Sequence, residues 1–295
     1  MDVLVTGGTG FVGSHLCREL DSRGHGVTAL SRSADGGDLP EGVEVAVGDV
    51  TEPETLEEPM IDVDVVVNLV ALAPLFQPKG GDAMHERVHL GGTRNVLRVA
   101  EAAGVPAIVQ MSALGADPDG ETAYIRAKGQ AETVVRESDL EWTILRPSVI
   151  FGDGGEFVRF TKALTTPYLT ALPGGGRTRF QPIWIGDLAP MLAEAVEDDS
   201  HRGRTYDIGG PEALSLAAVA RMAYRAEGKS LRIVPIPMAL TAIGMRLVDP
   251  LPFVPFGADQ ARSLRFDNTV EDNAIGAFGV TESELLTLEE YLGSN

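Results

Sequence analysis

The segment Thr6-Gly7-Gly8-Thr9-Gly10-Phe11-Val12-Gly13 separates the apolar run Val3 to Val5 from a helix pattern in which Phe11, Val12, Leu16 and Leu20 recur until Gly24 and Gly26. A backbone without Cβ atoms bends tightly and can approach an anion, and the free amides of a helix N-terminus present partial positive charge to it. Glycines at a strand-to-helix turn within a βαβ unit therefore predict a seat for the pyrophosphate of a dinucleotide. Gly7 and Gly10 stand on the turn, and Gly13 is where the helix must pack close to the strand. The competing reading, a tight turn with incidental glycines, needs no ligand.

The rest of the first half keeps the same rhythm. Strands are expected at Val27 to Leu30, Val43 to Val47, 63 to 71, Ala107 to Met111 and Trp142 to Leu145, with helices ending near Gly104 and spanning Tyr124 to Arg136. Thr51-Glu52-Pro53-Glu54 has the pattern of a capping box before a short helix. Alternation of this length implies an α/β chain with a Rossmann-type doubly wound parallel sheet, because right-handed crossovers cover both faces. Beyond Phe151 the rhythm loosens. Helices are expected at Glu156 to Leu164, Leu188 to Val196 and Leu216 to Glu227, and strands at Phe180 to Ile185, Thr205 to Ile208 and Arg232 to Ile236. The expected organisation is a dinucleotide-binding domain over 1–150 and a smaller C-terminal substrate or lid lobe over 151–295, interleaved with the first.

An acid at the end of the second strand would select NAD by binding the ribose 2′-hydroxyl, but that place reads Ser31-Arg32-Ser33. An arginine pairs with a 2′-phosphate, so NADP(H) is the preferred cofactor; NAD(H) stays open because Asp35 is close enough in sequence to reach the ribose. Asp49, after the third strand, is a candidate acceptor for the adenine amino group, or a plain loop former.

The chain carries 43 acidic against 24 basic residues, a formal net charge of −19, which repels nucleic acid and anionic lipid surfaces. That balance suggests a halophilic protein of a high-salt cytoplasm, where screening relieves self-repulsion. Cys17 is the single cysteine, so no internal disulfide forms; its place in the first helix pattern points to core packing. The chain enters a strand directly, without an export leader, and its best apolar stretch, Ile236 to Phe256, contains Arg246, Asp249 and several prolines. A cytoplasmic location without a transmembrane segment is expected, and the same stretch could cover a substrate cleft or dock on a partner. His15, His25, His85 and His201 form no metal-ligand spacing with one another, and no metal site is expected.

Six segments carry a family resemblance: TGGTGFVG, the Gly48-Asp49-Val50 turn, Asn68-Leu69-Val70-Ala71, Gly92-Thr93-Arg94-Asn95, YIRAK at 124–128 and LRPSVIFG at 145–152. Together they resemble the extended or atypical branch of the short-chain dehydrogenase/reductase superfamily, the branch of NAD-dependent epimerases and dehydratases. QMSALGADPDGETAYIRAKGQAE at 110–132 and GGGRTRFQPIWIGDLA at 174–189 look most like relatives of the NAD(P)H-binding accessory subunit of respiratory complex I. The resemblance covers residues 1 to about 230. It implies a cofactor site lined by Thr6 to Gly13, Ser31 to Ser33, Asp49, Val50, Leu69, Val70, Ala71, Tyr124, Lys128, Pro147 and Val149. It also implies that Tyr124 exchanges a proton with a carbonyl or hydroxyl substrate, while Lys128, four residues on, holds the nicotinamide ribose and lowers the phenol's pKa toward neutrality.

Two positions depart from the family pattern. Where the superfamily has a hydroxyl that polarises the substrate carbonyl, this chain has Ala113; Ser112 can replace it only if the preceding strand has already ended. Seven positions before Asp187, where relatives that take sugar nucleotides have an arginine for the diphosphate, stands Phe180, with Arg177 and Arg179 close by. Asp187 itself is expected to cap a helix, and His89, where many relatives have Asn, to be a buried structural histidine. Two functions are therefore expected: an NADP(H)-dependent oxidoreductase, epimerase or dehydratase working through Tyr124 and Lys128, or a non-catalytic NADPH-binding accessory or sensor protein. The partners implied are a dinucleotide, an unknown small-molecule substrate, a second copy of the chain and a respiratory complex.

Overall fold

The structure, a computed structural model, describes residues 1–72, 75–76, 78–236 and 258–294. They divide between two compact units. The first comprises Met1–Leu72, Asp82–Pro147 and Ile185–Tyr206, and the second Ala73–Gly81, Ser148–Trp184 and Asp207–Asn295. Residues 237 to 256 of the Ile236–Phe256 stretch lie outside the described residues.

The first unit is built on β1 (Asp2–Thr6), β2 (Gly26–Ser31), β3 (Val43–Val47), β4 (Val65–Asn68), β5 (Ala107–Met111) and β6 (Glu141–Pro147), each parallel to its neighbours. Every residue of β4 and β5 is buried, as runs such as Val65-Val66-Val67 require when helices cover both faces. A further strand, Arg204–Ile208, completes the seven-stranded order, in which β6, β5 and β4 lie on one side of β1 and β2 and β3 on the other. Chain direction across the sheet therefore reverses between β1 and β4, the switch point at which doubly wound folds take ligands. Leu4, Val66 and Ile108 are in register on adjacent strands and share one apolar cluster with Leu97, Val135 and Ile144.

Helix α1 (Phe11–Ser22) follows the glycine turn, with Leu16, Cys17 and Leu20 buried. The π turn Glu86–Gly91 joins α2 (Ala83–His85) to α3 (Gly92–Ala103), and α4 (Ala123–Arg136) precedes β6. Two expectations are corrected. The capping box at Thr51 does not form, because Thr51 N–H and Oγ1 both donate to Asp49 Oδ1, at 2.8 and 2.9 Å, and the segment Pro53–Leu56 is a 3₁₀ turn. Asp187 is not the N-cap residue: its helix already begins at Ile185, which puts the carboxylate inside the first turn, favourably placed toward the positive end of the helix dipole.

The second unit has its own core, in which Phe151, Phe157, Leu172, Phe180, Leu214, Leu216, Val219 and Leu288 are buried. Among the described residues three pairs of its strands form two-stranded sheets: Ile150–Phe151 with Ile183–Trp184, Arg179–Phe180 with Leu214–Ser215, and Tyr168–Pro173 with Leu231–Ile236. Phe180 serves as core packing, and Arg179 is held by Asp267, with Nε to Oδ2 at 3.0 Å. Among the described residues no helix is long and apolar enough to cross a membrane.

Candidate functional site

The carboxyl ends of β1 and β4 are tied together below the glycine turn. Thr6 Oγ1 donates to Asn68 Oδ1 at 2.7 Å, and Asn68 Nδ2 donates to Gln110 Oε1 at 2.9 Å and to Thr93 Oγ1 at 3.1 Å. All four side chains are buried, and the row is satisfied internally, which fixes the floor on which the turn sits.

Above that floor, Gly7 and Gly8 N–H both donate to Leu30 O, at 3.0 and 3.3 Å, which folds the turn back onto the end of β2. Gly7 has φ +73°, in the left-handed region that favours glycine. A Cβ at Gly13 would stand 2.2 Å from Gly7 O and 2.7 Å from Gly8 Cα, so α1 can lie this close to β1 only with glycine there. At Gly10, by contrast, a Cβ would meet only Gly7 O, at 3.1 Å. Gly10 is also the N-cap of α1 and brings no side chain to satisfy the first-turn amides. A helix start with uncapped amides, on a turn cleared of side chains, fits a diphosphate.

The neighbouring candidates fall around this turn unevenly. Thr9 Oγ1 donates to Ser31 Oγ at 3.0 Å, and Ser33 N–H reaches the same oxygen at 3.4 Å. Arg32 is exposed and makes no ion pair among the described residues, so its guanidinium is free to meet an anion. Asp49 commits Oδ1 to Thr51 and leaves Oδ2 open. Val50 turns its side chain into the core, and its carbonyl accepts from Asn95 Nδ2 at 2.8 Å. Leu69 N–H donates to Thr6 O at 3.2 Å, and Val70 lies 3.4 Å from where a Gly7 Cβ would be. Ala71 is exposed next to it. Pro147 closes β6 in the first unit, whereas Val149 belongs to the second.

Strand β5 stops at Met111, so Ser112 lies just beyond it. Its Oγ is buried with no hydrogen-bond partner among the described residues, and Ala113 beside it is also buried. Thr122 caps α4 by accepting from Ile125 N–H at 3.3 Å, which sets Tyr124 in the first turn and Lys128 one turn later. Lys128 is 2% exposed, and its Nζ donates to Met111 O at 3.0 Å. Burial pulls its pKa down to about 8, against the opposing charge of Glu132.

Tyr124 corrects an expectation. Burial pushes its phenol above the ordinary value instead of toward neutrality. Its ring is packed edge-on against His85 and His89, at centroid distances of 5.6 and 5.3 Å, while the Lys128 ammonium is engaged with the Met111 carbonyl. The phenol is therefore a held proton and not a phenolate.

Glu132 was not singled out from the sequence. It is 1% exposed and accepts from Arg146 Nε and Nη2, at 2.7 and 2.6 Å, and from Arg136 Nη2 at 2.8 Å. The available signal was spacing: Tyr124, Lys128 and Glu132 follow at intervals of four, on one helical face.

Residues 7–168 match a family model described as NAD(P)H-binding. The mitochondrial NADH dehydrogenase [ubiquinone] 1 alpha subcomplex subunit 9 of Arabidopsis thaliana is 29% identical over 290 residues, covering 92% of this chain and 71% of that one. The NAD(P)H azoreductase of Xenophilus azovorans is 30% identical over 253 residues, 82% of each chain. The UDP-glucose 4-epimerase of Thermus thermophilus, solved with NAD, superposes with a TM-score of 0.67 at 24% identity, over 90% of this chain and 99% of that one. The glycine turn, the switch-point geometry and these matches together assign a nicotinamide dinucleotide as cofactor and make this chain, which shares the fold of the epimerase, a member of the NAD(P)H-binding family.

Proposed function

We propose that the chain is an NADP(H)-dependent reductase in which Tyr124 delivers the proton and Lys128 fixes the nicotinamide ribose. The bound dinucleotide supplies the reducing equivalents. The observation that carries this reading is that the half-buried Tyr124 and the buried Lys128 share one face of α4: a protonated phenol, and an ammonium whose Nζ already meets the carbonyl at the end of β5. A phenol held above its usual pKa keeps its proton until a basic site develops on the substrate, which suits an acid better than a base. Ala113 offers no hydroxyl to polarise a carbonyl, and the residue before it in the sequence, Ser112, carries a buried Oγ. An acceptor bond that needs less polarisation, such as the azo group in the name of the Xenophilus relative, fits such a site.

The glycine turn would hold the pyrophosphate, Asp49 Oδ2 the adenine amine, and Arg32, which makes no ion pair among the described residues, a 2′-phosphate. Titration with NADPH and NADH tests the cofactor, and Tyr124→Phe tests the chemistry. Dinucleotide affinity within a factor of about 2 of the parent, with turnover lost by about 10²-fold or more, is the expected result for Tyr124→Phe. Arg32→Ala should weaken NADPH by about tenfold and leave NADH nearly unchanged. Unaltered turnover in Tyr124→Phe would remove the phenol from the mechanism.

The same Ala113 also favours a second reading, a dinucleotide-binding accessory protein that performs no turnover, consistent with the subunit name of the Arabidopsis relative. Its mark would be NADPH binding that raises the melting temperature without oxidation of the dinucleotide by any acceptor.

A further inference from the structure

Residues 83–103 run as one helix interrupted by the π turn Glu86–Gly91, a local widening that recurs at functional sites. The histidines of this stretch, His85 and His89, are both buried, with rings 5.3 Å apart. The His89 ring stands at 82° to that of Tyr124. On its other side, His89 Nε2 lies 2.9 Å from the backbone nitrogen of Leu72. A backbone N–H can only donate, so Nε2 is the unprotonated nitrogen and the imidazole proton sits on Nδ1. Burial, then the Lys128 charge and His85, hold the pKa of His89 down to about 2, so the acceptor persists across any working pH. This imidazole is not a base in waiting.

Leu72 follows directly from the segment that touches the glycine turn. Leu69 N–H is bonded to Thr6 O, and Val70 packs against Gly7. A continuous path therefore leads from the turn, through Val70 and the Leu72 amide, to His89 and the ring of Tyr124. We infer that His89 is a positioning residue: it locks the backbone after β4 to the ring of Tyr124, so that the dinucleotide seat and the proton-delivering phenol keep one geometry. This rests on the reading of Tyr124 and the glycine turn given above. An Asn side chain at this position is too short to reach Leu72 and has no ring to offer Tyr124, whereas the amide of Gln extends about as far as Nε2.

The test compares His89→Phe, which keeps a ring and removes the acceptor, with His89→Gln, which keeps an acceptor and removes the ring. His89→Asn serves as a second disrupting variant should the Phe variant not fold. Hydrogen exchange at the Leu72 amide, measured on the full chain without dinucleotide, is the first readout. Exchange at least about tenfold faster in His89→Phe or His89→Asn, and close to the parent in His89→Gln, is expected. The second readout is NADPH affinity, expected to weaken about three- to tenfold in the disrupting variants and to be rescued by Gln. Leu72 exchange unchanged by Phe and Asn overturns the inference, as does equal loss of affinity in all three variants, which would mark His89 as packing alone. A parent that binds no dinucleotide sinks the proposed function instead, while the exchange measurement, made without ligand, still decides whether the tie exists.

Discussion

At Lys128 the buried ammonium carries a measurable cost. The folded chain releases its proton near pH 8, whereas in the unfolded chain the group keeps its ordinary value of 10.5. Between those limits the unfolded state binds the extra proton, so stability rises with pH through the window; below it both states are charged and the burial penalty is present in full. At about 1.4 kcal/mol per pH unit the penalty is on the order of 3 kcal/mol. Cys17 works in the opposite sense, because burial pushes its thiol from 9.0 up to about 12. The folded state keeps a proton there that the unfolded state loses, and stability falls as pH rises from about 9 to 12. Lys128→Met should therefore gain stability relative to the parent at pH 7 and lose that advantage by about pH 10.5, as followed by urea denaturation at a series of pH values. Identical slopes for variant and parent would mean that the ammonium is not buried as described. Cys17→Ala should flatten the alkaline fall above about pH 9 and leave the part of the Lys128 window below that unchanged.

The glycine turn and α1 act as one element, and two of its glycines do different work. Gly13 faces backbone, with Gly7 O only 2.2 Å from its missing Cβ, and backbone cannot swing aside as a flexible side chain can. Gly13→Ala must push α1 away from β1. It should cost about 1–3 kcal/mol by chemical denaturation and weaken dinucleotide binding along with it. Gly10 faces a single close atom, Gly7 O at 3.1 Å, so Gly10→Ala should cost about 1 kcal/mol, from that contact and a poorer N-cap. Its methyl group would nonetheless stand at the uncapped end of α1, and the expected result is a loss of dinucleotide affinity out of proportion to the loss of stability. Equal affinity in Gly10→Ala and the parent would move the pyrophosphate elsewhere. The π turn makes the complementary point: a run from Ala83 to Ala103 reads as ordinary helix, and only the structure shows one turn widened, at Glu86–Gly91, where His89 meets the ring of Tyr124 on α4.

For the whole molecule, a net charge of −19 means that every acidic group is surrounded, on average, by more repulsion than attraction. The ion pairs that do form are mostly at partly exposed sites, such as Arg23 with Glu197 and Lys162 with Glu227, and such pairs contribute little. Raising KCl from about 0.01 M to about 1 M should screen the net repulsion more than it weakens these pairs, and thermal melting should shift upward by about 5 °C or more. A melting temperature independent of salt would show that the acidic surface is spread too thinly to matter.

The sequence by itself determined the alternation of strands and helices, the place of the glycine turn and the placement of Tyr124 and Lys128 on one helical face, because each follows from local spacing: apolar runs for buried strands, absent side chains for a close approach, four residues for one turn. It also marked Phe180 and Ala113 as departures, since a missing group is visible without a fold. Only the tertiary structure decided the protonation of the site. Whether a phenol is raised or lowered depends on which groups surround it, and His85, His89 and the Met111 carbonyl reach Tyr124 and Lys128 from distant segments. The Asn68 row, the grip of Arg146 on Glu132 and the tie from His89 to Leu72 were hidden for the same reason: each joins residues 14 or more positions apart. Spacing along a chain carries no record of such contacts, which come into being only when the sheet brings its strand ends together.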